Sequence, residues 1–193
     1  LHPDLPGPAH TWRPNWMAGV PSGTEAEHPA WYGRTLVERL VEEGQEVGSH
    51  AFTHAIFGDP GCSEAVADAE LTRAVAVAAD MGITLRSLVF PRNVAGHVHL
   101  LKKHGFTCWR GQEAIWYRRP GMPTPVTRLA HLADVLRGAR PVTTMPRRDA
   151  HGLWDIPASA VFAPIDGKRR LIPMRQRVRR AQRGIDAAVA RRE

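Results

Sequence analysis

Two cysteines in 193 residues are too few for a disulfide scaffold, so a packed core must supply the stability. Cys62 and Cys108 lie in no CxxC or other thiol-redox pattern and read as free thiols in packed or semi-buried places. No stretch approaches the roughly 20 apolar residues that a membrane-crossing helix requires, which excludes a helical span. A basic-then-apolar leader is also missing, although the chain starts at Leu1 without a Met and its native beginning is expected upstream. The free thiols and the missing leader point to the cytoplasm. There is no internal repeat and no long low-complexity tract.

The net charge of +7 is unevenly distributed. Residues 168–193 hold ten of the 26 basic side chains and two of the 19 acidic ones, so the rest of the chain is close to neutral. Such a segment could bind nucleic acid through phosphate contacts. It has no interleaved aromatics for base stacking. Met174, Val178, Ala181, Ile185 and Val189 also fall on one stripe of a helix over about 173–191, so the arginines read as its solvated face and the stripe as its packing face. Nucleic acid is therefore not an expected partner, and a basic binding module over 168–192 is the lesser alternative.

Residues 1–27 are rich in Pro and Gly and read as an irregular N-terminal segment; 28–193 read as a single α/β domain. Leu36, Val37, Leu40 and Val41 recur at helical spacing, which predicts a helix over 34–43 stopped by Gly44. A short strand over 45–49 leads into His50. Ser63 caps the clearest helix, 63–81, whose apolar face carries Val66, Ala67, Leu71, Ala74, Val75, Ala78 and Met81. A buried strand at 85–91, a helix at 95–104, a strand at 106–109, a helix at 126–137 and strands near 141–145 and 153–162 follow. Alternating strands and helices imply parallel pairing, with right-handed crossovers curling the units into a barrel or an open sheet.

The most informative stretch is Glu46-Val47-Gly48-Ser49-His50-Ala51-Phe52-Thr53-His54. A strand can fix the first imidazole while the following turn brings the second to the same point. Neutral imidazole is a common Zn²⁺ ligand, and a catalytic zinc takes three protein ligands and an open position for water. A bare pair of histidines four apart is weak evidence, and its context adds what the spacing lacks.

That stretch resembles the second motif of the polysaccharide deacetylase family (carbohydrate esterase family 4). There a strand ends in a His, followed by a small residue, an aromatic, Ser or Thr, and a second His. Ser87-Leu88-Val89-Phe90-Pro91-Arg92-Asn93 and then Gly105-Phe106-Thr107-Cys108-Trp109-Arg110-Gly111 resemble the family's next block. His28-Pro29-Ala30-Trp31-Tyr32 and Gly152-Leu153-Trp154-Asp155-Ile156-Pro157 are similar to less specific landmarks, so the resemblance covers roughly residues 28–190.

The resemblance implies a distorted, incomplete (β/α) barrel and a metal-dependent hydrolase that removes N- or O-acetyl groups from a carbohydrate substrate. It implies a divalent metal, Zn²⁺ first, held by His50 and His54. Arg92 takes an active-site role, in place of an Arg that many members carry where Val89 stands here. Asn93 becomes a substrate contact, with turn chemistry as its simpler role. Trp109 and Arg110 read as core packing and surface charge, and His97, His99 and His104 as solvated helix residues. Asp155 lies near a strand end where members can contribute an active-site residue, and a structural place is favoured for it. Two departures matter. The Thr-Phe-Asp-Asp-Gly-like strand that supplies the family's catalytic base and third ligand does not occur, and Asp4 takes neither role. The final His-bearing strand does not occur either. The resemblance thus implies either a piece of an active enzyme or a degenerate, inactive sugar-binding member.

Overall fold

In the computed structural model, residues 19–112, 122–137, 145–158, 170 and 172–191 are described. The chain divides into two compact units, Leu1–Gly111 with Arg147–Ile156, and Gln112–Pro146 with Pro157–Glu193.

The first unit is built where sequence periodicity is strongest. Ser63 takes an extended backbone and its hydroxyl accepts from the Val66 amide (3.3 Å), which starts α2, Glu64–Asp80. Ala67, Leu71, Ala74 and Ala78 are its buried apolar positions, matching the predicted face. Gly82 (φ +71°) ends it, in the left-handed region that glycine enters without a Cβ clash. β1, Ser87–Val89, then runs parallel to β2, Cys108–Gly111, with Leu88 opposite Trp109. The short helix α3, Val98–Lys103, makes the crossover and closes at Gly105 (φ +83°). β3, Arg147–Arg148, pairs antiparallel with β4, Trp154–Pro157. The strand order is β1-β2-β4-β3, an open mixed sheet among the described residues.

Phe57, Phe90, Leu71, Leu88 and Leu101 are the largest fully buried apolar side chains of this unit. Phe90 packs edge-on against Phe57 (5.5 Å) and Trp109 (5.6 Å), so the end of β1 is fixed by aromatic contacts on two sides. Each such side chain contributes roughly 1.5–3 kcal/mol of burial.

One expectation needs correction here. The predicted strand over 45–49 is reduced to one parallel bridge between Ser49 and Leu88, closed by Ser49 N–H to Ser87 O (2.8 Å) and Val89 N–H to Ser49 O (2.9 Å). Glu46 spends its carboxylate on the Ser87 hydroxyl instead (2.8 Å). The first helix, α1, forms at Arg34–Glu42 as expected, yet it buries no residue, and Leu36 is 65% exposed.

The second unit contains α4, Thr124–Arg137, and α5, Met174–Val189. The predicted packing stripe of α5 is not its buried face: Met174, Val178, Ile185 and Val189 are all exposed, while Arg177 and Ala187 are buried. Polar anchoring accounts for the difference. Arg177 Nε donates to the Ile172 carbonyl (3.0 Å), and Arg180 reaches the Asp134 carboxylate (2.8 Å) and carbonyl (3.2 Å) on α4. These bonds set which side of the helix faces inward. The strand expected at 141–145 lies almost wholly outside the described residues, as does the end of the one expected at 153–162.

Among the described residues no helix is long and apolar enough to cross a membrane.

Candidate metal centre

His50 follows the Ser49 bridge directly. Its Nδ1–H donates to the Val89 carbonyl (2.7 Å). A carbonyl can only accept, so this bond places the ring proton on Nδ1 and leaves the lone pair on Nε2. Metal-binding imidazoles are commonly oriented in this way through the nitrogen that does not ligate. The residue is exposed.

The chain then reverses sharply. Ala51 and His54 both adopt left-handed backbone, φ 65° and 60°. The turn returns the second imidazole to the first, with ring centroids 4.8 Å apart and planes at 72°. The Nδ1 atom of His54 is buried.

The turn is clamped from α2. Glu70, 1% exposed, accepts from the Phe52 amide (2.9 Å), the Thr53 amide (2.7 Å) and the Thr53 hydroxyl. Arg73 lies over the Phe52 ring at 5.9 Å. Ala55, Ile56 and Phe57 then enter the core and anchor the far end of the loop. Sequence reading missed Glu70. The available signal was its place: a carboxylate on the same helical face as Ala67, Leu71, Ala74 and Ala78 is buried, and a buried carboxylate needs donors.

The loop after β1 lies alongside. Phe90 and Pro91 are buried, and Pro91–Asn93 form a single 3-10 turn in which Arg92 (φ 54°) and Asn93 (φ 56°) are exposed and left-handed. The two loops meet without room for side chains: a Cβ on Gly58 would stand 2.6 Å from the Ala95 carbonyl oxygen, and one on Gly96 would collide with Phe57 backbone. Five non-glycine residues have positive φ among those described, and four of them are Ala51, His54, Arg92 and Asn93. Each costs of order 1 kcal/mol or more, and such strain collects at functional sites. Both loops follow the carboxyl ends of parallel-paired segments, where open α/β sheets place their ligands.

The other candidates lie elsewhere. Trp109 donates through its indole to Asp149 (2.9 Å) and packs on the core, as expected. Asp155 stands opposite Arg147 in the hairpin, and its buried Oδ1 packs against Gly111. Burial raises its pKa, Arg147 opposing and Asp149 reinforcing the shift. The histidines near α3 are less solvated than expected. His97 bonds the Cys62 carbonyl (2.8 Å), and the largely covered His104 pairs with Asp68 (2.7 Å). His99 is exposed near Glu64 (3.5 Å). Local carbonyl and carboxylate acceptors explain these three positions.

Two imidazoles bound to one tetrahedral ion at Zn–N distances of about 2.0–2.1 Å have centroids roughly 5 Å apart. The His50–His54 separation fits that requirement. Among the described residues no third His, Cys, Asp or Glu completes a group of three around it. Comparison of the chain with family models, with curated proteins and with solved structures finds no match.

Proposed function

We propose that the chain carries the histidine pair of a metal-dependent hydrolase that removes N- or O-acetyl groups from carbohydrate, on a distorted (β/α) barrel of the polysaccharide deacetylase type. The observation that carries the proposal is the approach of the two imidazoles, 4.8 Å apart, on a strained turn beside the end of β1. The resemblance around His50, His54 and Pro91 supplies the reaction class.

His50 and His54 would hold the ion, with zinc the best match to a nitrogen donor pair. When bound, zinc supplies a Lewis acid for the acyl carbonyl and acidifies a water toward neutral pH. The chain's own contribution is orientation. The Val89 carbonyl fixes the His50 tautomer, and the clamped turn fixes the position of His54 relative to it. Arg92, on the neighbouring loop, brings a permanent positive charge suited to a carboxylate or a developing oxyanion. Asn93 brings an amide able to donate to and accept from sugar hydroxyls. The two free thiols favour a reducing compartment.

Isothermal titration with Zn²⁺ at pH 7.5 should give one site per chain, absent in the His50→Ala, His54→Ala double variant. Acetate release from N-acetylated chito-oligosaccharides and from O-acetylated xylan, assayed with zinc-loaded protein, should fail in the same variant. No zinc binding by the wild-type protein sinks the proposal. A second reading, a non-catalytic member that binds metal and sugar, draws on the two-residue ligand set. Zinc and oligosaccharide binding with no acetate released would select it.

A further inference from the structure

Glu70 is a carboxylate at the centre of the first unit's packing, buried between Ala67 and Leu71 on α2. Burying a carboxylate costs several kcal/mol unless hydrogen bonds replace its water. Here the Phe52 N–H and Thr53 N–H both donate to Oε2, and the Thr53 hydroxyl donates to Oε1. Both oxygens are thus engaged by two adjacent residues, and those two residues are half of the four-residue step from His50 to His54.

The His50 end of this step is fixed by the Val89 carbonyl. The other end must turn through left-handed backbone at Ala51 and at His54, a geometry uncommon for non-glycine residues. Two backbone N–H groups aimed at one carboxylate oxygen force Phe52 and Thr53 to present their amides on the same side. That is the constraint that closes the turn. We infer that Glu70 is the positioning residue of the histidine pair: through Phe52 and Thr53 it sets the distance between the two imidazoles, and it does so without touching the ion. This inference rests on the proposed metal site for its consequence, and on the hydrogen bonds alone for its structural part.

Glu70→Gln keeps size and shape but turns an amide NH₂ or a single carbonyl toward three donors. Thr53→Val removes only the hydroxyl bond. Ligand-orienting partners of this kind are worth roughly 10–100-fold in metal affinity. Zinc affinity should therefore fall by about that factor in Glu70→Gln and by less in Thr53→Val, with far-UV circular dichroism unchanged. The visible spectrum of the Co²⁺-loaded protein should change in band position or intensity, since it reports ligand geometry. In the metal-free protein, NMR contacts between the His50 and His54 rings should weaken in Glu70→Gln, and the Phe52 and Thr53 amides should exchange faster.

A folded Glu70→Gln protein with wild-type zinc affinity, an unchanged Co²⁺ spectrum and intact ring contacts overturns the inference. If Glu70→Gln does not fold, Thr53→Val decides by the same readouts, and wild-type values there overturn it. If the wild-type protein binds no zinc, the metal proposal fails, and the ring contacts and amide exchange of the metal-free variants judge the positioning role separately.

Discussion

Ala51 has no side-chain reason to sit at φ 65°, since it lacks the short polar group that lets Asn or Asp tolerate that region. Its strain is carried by the contacts on either side: the Ser49 hydroxyl accepting its amide (3.2 Å) and the Glu70 clamp beyond it. Ala51→Gly should therefore raise unfolding free energy by about 0.5–1 kcal/mol in urea denaturation, where the same change inside α2 would lower it. The two thiols should also separate chemically. Burial, reinforced by Glu70 and Asp59, pushes the Cys62 thiol up to about 11, so almost no thiolate exists at neutral pH. Iodoacetamide at pH 7.5 should alkylate native Cys108 well before Cys62, as followed by peptide mass spectrometry. Faster or equal labelling of Cys62 would contradict its burial.

At the scale of elements, the β3–β4 hairpin depends on one carboxylate. Asp149 Oδ1 accepts from the amides of His151 (2.8 Å) and Leu153 (2.9 Å), while Oδ2 takes the Trp109 indole and ties the turn to β2. Burial works to raise the Asp149 pKa, but these donors outweigh it and hold the group below its ordinary range. Asp155, six residues on, is shifted the opposite way by burial. The two should leave opposite pH signatures. The Asp149 contribution is present above the ordinary carboxylate range and is lost as pH falls through its lowered pKa. Asp149→Asn should therefore be most destabilising at neutral pH, with the gap closing in acid. The Asp155 contribution is full below the ordinary range and is lost as pH rises through its raised pKa. Asp155→Asn should be close to wild type in acid and gain on it above about pH 4. Urea denaturation at pH 3 and pH 7 separates the two; parallel pH curves for both variants would refute the opposition.

For the whole molecule, an ion bound at the proposed His50–His54 site of the native chain, and not by the unfolded chain, would stabilise the fold. Free zinc at about 100 times its dissociation constant should add roughly 2.7 kcal/mol, visible as a higher melting temperature. The gain should shrink as pH falls, because imidazole must be neutral to ligate, and should vanish in His50→Ala, His54→Ala. An equal shift in that variant would place the ion elsewhere.

Much of this could be read along the chain. The helices at Arg34–Glu42, Glu64–Asp80 and Met174–Val189 and the strand pair flanking α3 follow from local periodicity, capping and glycine stops, while the His50–His54 pair was picked out by its spacing and by resemblance. Those signals are set by neighbours within one or two turns. What tertiary structure decided was the fate of surfaces and the aim of side chains. The apolar stripe of α5 is exposed because Arg177 and Arg180 find carbonyl and carboxylate acceptors that periodicity does not reveal. The stretch 45–49 keeps a single bridge, at Ser49, because strand pairing depends on a partner distant in sequence. The imidazoles approach each other through a carboxylate sixteen to twenty residues further on and a carbonyl 39 residues away. Sequence placed the two histidines four residues apart; only long-range hydrogen bonding, invisible to local pattern, brings their ring centroids to 4.8 Å.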